Sequence, residues 1–218
     1  MDAKAFAESA SPGMWLQVAV ELFDTAVEMR KPGARSLIGQ RVDGGPWYQK
    51  DGANRTLFLL SGFAMENALK AFLVYENPAW VSNGRLARPL KSHSLTELRE
   101  RSALAPHRKR LAWVLSAMED GLESWARYPC SLKMETIRSE RFMTDAIWAG
   151  YLKIMSEYGA KLTKLIARKP WKGPHGVGGA WSFHGEYLGA LVDIEAKQPA
   201  HSKRKKAPAK RAAIGKQG

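Results

Sequence analysis

Glu66 and Lys70 stand four residues apart, acid first, in the middle of residues 55–75, the most apolar stretch of the chain. On a helix this order favours an ion pair. Two roles are open to such a pair. The carboxylate can orient a reacting group or hold an arginine, or the two charges can fix helix register by pairing with each other or with Arg127 beneath a loop. The structural role carries more weight, because charges in apolar surroundings need a partner before they can do anything else. Asn67 adds a third core polar or binding group beside them. His93 precedes Ser94, and an imidazole there can transfer a proton near neutral pH or hydrogen-bond within the turn. Arg127, in Arg127-Tyr128-Pro129, could present a guanidinium to phosphate. The carbonyl end of a helix repels anions, however, so Arg127 is expected on those carbonyls or on a carboxylate. His175 and His184 lie in a Gly-rich stretch with no cysteine near, and the chain has one cysteine, Cys130, and no HExxH pattern. No metal site and no cofactor are expected from this set. Residues 173–179 follow a helix rather than a strand and lack the glycine spacing of a nucleotide loop.

The element that carries Glu66 and Lys70 reads as a helix of about six turns. Leu59, Leu60, Phe63, Leu69, Phe72 and Leu73 leave little of it polar, so it is expected at the centre with other helices around it. Ser11-Pro12 starts an earlier helix with Leu16, Val20, Phe23 and Val27 at helical spacing, and Lys31-Pro32-Gly33 stops it. Residues 31–54, rich in Gly, Pro and charge, read as a long surface connection. The central helix ends at Asn77-Pro78, and a second loop closes on Ser94-Leu95-Thr96-Glu97, a capping box that opens a short helix. A further helix is expected from Pro106, with Leu111, Leu115, Met118, Leu122 and Trp125 as its core stripe and Tyr128-Pro129 as its end. Ser139 is expected to cap the last long helix, which carries Phe142, Ile147, Leu152, Met155, Leu162 and Leu165 and stops at Lys169-Pro170. No run alternates strictly as a strand does, and residues 186–196 read as a short helix with Leu188, Leu191 and Val192 on one face. The expected class is all-α: a bundle of four to five helices with long loops over 12–168, a Gly-rich segment and short helix over 169–196, and a tail over 197–218.

Charge is unevenly spread. The chain has 34 Lys and Arg against 21 Asp and Glu, a net charge of +13. Eight of the cations fall in residues 197–218, which hold no acid, so the body is only mildly basic. The tail lacks a core-forming pattern and is expected to be disordered. Its Lys203, Arg204, Lys205, Lys206, Lys210 and Arg211 either attract polyanions without reading sequence or serve only to keep the chain in solution. The first residues include acids and no apolar core, unlike a signal peptide. The longest apolar run, 57–65, is too short for a membrane span. A cytoplasmic protein with no membrane association is expected.

The order of elements resembles the HEPN superfamily of helical bundles over roughly residues 12–168. The likeness lies in the apolar second helix with Glu66-Asn67-Ala68-Leu69-Lys70, then Lys91-Ser92-His93-Ser94-Leu95 with Leu98, then a long helix ending in Arg127-Tyr128-Pro129 and a final long helix. The resemblance implies a homodimer, RNA as ligand, and an antitoxin or nucleotidyltransferase-type partner protein. Many members look like metal-independent ribonucleases of bacterial defence or toxin–antitoxin systems, with an arginine and a histidine separated by four to six residues near the start of the last helix. Here residues 138–150 hold Arg138 and Arg141 but no histidine. Two formal matches lie elsewhere, Arg101 with His107 and Arg168 with His175, and these are the catalytic candidates the resemblance supplies.

Three readings follow. The first is an HEPN-like RNA-associated protein, a ribonuclease with a displaced site. The second is a non-catalytic HEPN-like module that dimerises or binds a partner or nucleotide, favoured by the missing Arg/His pair. The third is a DNA-associated protein using the basic tail, for which no recognition helix is evident.

Overall fold

The computed structural model describes residues 2–32, 37–41, 43–45, 48–127, 135 and 139–195. The protein is mostly helical, with six α-helices and two small antiparallel hairpins among these residues. In order they are α1 (Ala3–Ser9), α2 (Pro12–Arg30), β1 (Leu37–Gln40), β2 (Tyr48–Asp51), α3 (Asn54–Glu76), α4 (Leu95–Arg101), α5 (Ala112–Glu123), α6 (Asp145–Arg168), β3 (Phe183–Tyr187) and β4 (Ala190–Ile194).

Helix α3 packs against α2, α4, α5 and α6. From Ala64 to Val74 only Asn67 is not buried, as its nearly all-round apolar surface requires. By length and composition alone α3 could cross a bilayer, but most of it is buried inside this bundle. Gly62 lies under Leu122 of α5, and Gly121 of α5 lies against Phe58. These small residues bring the two helices together, and Phe58 then meets Trp125 edge-on, with ring centroids 4.6 Å apart. Asn77-Pro78 stops α3 and Lys169-Pro170 stops α6, since proline cannot continue a helix.

Several boundaries differ from the sequence reading. The helix expected from Pro106 begins at Ala112, after a 3-10 turn over Lys109–Leu111. The last helix is capped by Thr144, whose hydroxyl accepts from the Ile147 amide at 3.2 Å, and not by Ser139. Phe142 consequently lies outside α6 and is 58% exposed. The segment before α6 is instead held by Asn54 at the start of α3. Its side chain accepts from the Met143 amide at 2.9 Å and donates to the Arg141 carbonyl at 2.8 Å. The connection 31–54 contains the β1–β2 hairpin.

The largest correction concerns the short helix expected over 186–196. Residues 186–194 instead form the end of β3, the turn and β4 of the β3–β4 hairpin, which is paired from Phe183↔Ile194 to Tyr187↔Ala190. Leu188 and Gly189 both adopt positive φ, +55 and +80, as a tight two-residue turn requires. Leu188 is fully buried in that turn, and Leu191, expected on the same face, is 86% exposed. The hairpin lies on α6 at Gly159, where a Cβ would stand 2.0 Å from the Tyr187 carbonyl oxygen. Only glycine allows this backbone approach. The Gly-rich stretch before the hairpin is anchored by Trp171, which is buried and donates through Nε1 to the Val74 carbonyl at 3.1 Å. The calls on Tyr128, Cys130, Arg138 and the basic tail fall outside the described residues.

Candidate functional site

Glu66 and Lys70 are both 4% exposed on α3. The Lys70 ammonium donates to Glu66 Oε1 at 2.6 Å and lies 5.6 Å from the centre of the Trp15 ring of α2. A carboxylate in a salt bridge and an aromatic face thus surround a charge that water does not reach. The second donor to Glu66 comes from outside the helix. His93 Nδ1 is 3.1 Å from Oε1 and 3.0 Å from Oε2. Glu66, already neutralising Lys70, is a carboxylate and can only accept, so Nδ1 carries the proton. In the neutral ring Nε2 is then a bare acceptor. The His93 side chain is 48% exposed while that of Glu66 is 5% exposed. The arrangement is a buried carboxylate orienting an accessible imidazole base.

The turn that presents His93 is clamped on both sides. Ser94 caps α4 by accepting from the Glu97 amide at 3.2 Å. The Glu97 side chain does not return to the cap as a reciprocal capping box would. It accepts from Ser92 Oγ at 2.6 Å. Glu119 of α5 accepts from Ser94 Oγ at 2.9 Å and from the Thr96 amide at 2.6 Å. One helical turn further along α5, the Glu123 carboxyl is held above the ordinary range, first by burial and next by the charge of Glu119, against the opposing charges of His93 and Arg127. His93 therefore faces an acidic edge of α5.

The other expected residues take different positions. Arg127 does not reach Glu66; its guanidinium lies over the Phe63 ring, 5.2 Å from the centroid. The Asn67 amide turns back to the Phe63 carbonyl at 2.7 Å, a helix-internal bond. The two Arg/His pairs are not assembled. The Arg101 guanidinium donates to Glu97 at 2.7 and 3.1 Å, while His107 lines a small cleft with Arg99, Arg108 and Glu157. Arg168 ends α6 exposed. His175 donates through Nε2 to the Ser82 carbonyl at 2.6 Å. Arg141 pairs with Asp120 at 3.2 Å. His184 meets Asp193 across the β3–β4 hairpin at 2.7 Å. No group of three or more metal-type side chains occurs among the described residues.

Sequence reasoning missed Glu119, which sets the His93 turn, and Trp15, which covers Lys70. Both meet their partners across helices, and neither has a local pattern that marks it. No family model, curated protein or solved structure matches this chain.

Proposed function

We propose that this chain is an HEPN-like RNA-associated protein whose reactive centre is His93 on its buried Glu66 seat. The observation that carries the reading is the two-oxygen grip of Glu66 on His93 Nδ1, which leaves Nε2 as the accessible base. The net charge of +13 favours a polyanion as ligand. The chemistry such a base supports on RNA needs no further group to begin. Nε2 takes the proton of a ribose 2′-hydroxyl, the 2′ oxygen attacks the adjoining phosphorus, and the 5′ oxygen leaves and takes a proton. The ends are a 2′,3′-cyclic phosphate and a 5′-hydroxyl. Within this reading the protein is cytoplasmic and homodimeric, of a bacterial defence or toxin–antitoxin type, with an antitoxin or nucleotidyltransferase-type partner. Trp113, 49% exposed on α5, is one of the large apolar groups left for a dimer contact, with Phe142 and Leu191, whereas Trp125 is buried in the core.

The test is cleavage of labelled single-stranded RNA by the full chain in EDTA. His93→Gln changes a half-exposed side chain and should leave folding intact while lowering the rate at least about 100-fold, the lower bound for a lost general base. A second reading, the non-catalytic module, is favoured by one observation: neither Arg/His pair is assembled, Arg101 being held by Glu97 and His175 by Ser82. RNA that binds and stays intact with the wild-type protein decides for that reading.

A further inference from the structure

The connection between α3 and α4 is folded as firmly as a helix end. Pro78–Val81 and Arg88–Lys91 are 3-10 turns, with Val81 and Leu90 fully buried beneath them. The Ala87 amide donates to the Trp80 carbonyl at 2.9 Å and ties the two turns together, while Gly84 makes the corner at φ +63. The bond from His175 to the Ser82 carbonyl fastens the loop to the Gly-rich segment. Within this frame lies a cavity of about 330 Å3 lined by Trp80, Asn83, Arg85, Arg88 and Lys91. That volume falls within the range of small-molecule sites.

The lining holds three cations and no acid. None of the three makes an ion pair with a described residue; the charge of Arg88 acts on Glu97 through space. Like charges lining one cavity repel one another, and among the described residues no ion pair offsets that repulsion, Glu97 acting on Arg88 only through space. An anion would relieve that repulsion, and arginine forks suit the oxygens of a phosphate. Trp80, half-buried at the same cavity, offers a flat face on which a base can stack. We propose that this cavity binds a nucleoside monophosphate unit, its base against Trp80 and its phosphate among Arg85, Arg88 and Lys91. The ligand class rests on the RNA reading above. The unit comes either free or as part of a single strand, and the experiment separates the two.

Full-length protein is titrated against a fluorescent single-stranded RNA at several salt concentrations around 0.2 M, where the diffuse pull of exposed charges is largely screened. AMP and UMP serve as competitors and are also titrated directly by calorimetry. Trp80→Ala should weaken binding about tenfold, the scale of one lost base stack. Trp80→Phe keeps a ring and should bind close to wild type, which separates stacking from a folding defect. The double variant Arg85→Ala/Arg88→Ala should weaken binding and flatten the logarithmic salt slope by up to about 0.7, the contribution of the single phosphate in the unit. A control pair, Lys161→Ala/Lys164→Ala, removes equal charge from exposed positions of α6 and should change neither. Displacement of RNA by AMP or UMP identifies a site open to free nucleotides; RNA binding that resists them identifies a strand site. Pocket variants that bind as tightly as the control pair overturn the proposal, as does failure of both ligands to bind. If the variants weaken binding but no cleavage occurs, the site stands and the ribonuclease reading falls. If mononucleotides bind and RNA does not, the site stands and the RNA reading falls.

Discussion

The stretch from the middle of α3 to the start of α4 carries two groups of charges that the fold treats oppositely. At Glu66, Lys70 and His93 every charge meets a partner inside 3.1 Å. Arg85, Arg88 and Lys91 make no ion pair with a described residue, and only Arg88 feels an acid, Glu97, through space. The difference follows from solvent. A charge inside the bundle must be neutralised before the helix can pack. A charge at the rim of the 78–91 loop is held by water at little cost, so it can wait for a ligand. Partnering thus marks what the fold needs, and its absence in a shaped cavity marks what the fold leaves free. His93 belongs to both groups, with one nitrogen committed to Glu66 and the other exposed.

The largest expected effect breaks the paired side. Lys70→Met leaves Glu66 buried without its ammonium and should cost about 3–5 kcal/mol. For a chain of this size that is a fall in Tm of roughly 6–20 °C by thermal melting. His93 is the remaining donor. Removing both charges in Glu66→Leu/Lys70→Met should recover most of the stability. A double variant as unstable as the single one would mean that the pair contributes packing rather than charge balance.

A smaller effect uses pH to separate buried groups that are paired from those that stay neutral. Tyr151 and Tyr158 are buried, and burial pushes both hydroxyls well above the ordinary tyrosine range. Their folded pKa values are raised, so their contribution is complete below about pH 10 and is lost as pH rises beyond it. Unfolding titrations should show stability falling by about 1.4 kcal/mol per tyrosine per pH unit above about pH 10. A flat stability curve between about pH 10 and 11 would show that these hydroxyls reach water.

The smallest effect belongs to the unpaired side. Arg85→Ala/Arg88→Ala should leave the unfolding free energy from denaturant titration within about 0.5 kcal/mol of wild type, as surface substitutions do. A gain in stability would sharpen the contrast, since it would measure the repulsion that the cavity holds. A loss above about 1 kcal/mol would mean that these arginines are structural and would erase the contrast.

Much of the frame was legible locally. The apolar surface of residues 55–75 placed α3 at the centre, and the four-residue spacing of Glu66 and Lys70 gave their bond. Ser94 announced the start of α4, and Pro78 and Pro170 the stops of α3 and α6. Each of these depends on neighbours within a turn or two, where periodicity and capping rules operate. What only the tertiary structure decided depends on contacts across the chain. Glu66 holds His93 rather than Arg127 because the α4 turn is clamped to α5 by Glu119, a residue with no local signature. Residues 186–194 form a hairpin because Gly159 lets the Tyr187 backbone close onto α6 and because burial of Leu188 offsets its positive φ. A leucine is an unusual turn residue, so local preference pointed to a helix there, and long-range packing overruled it.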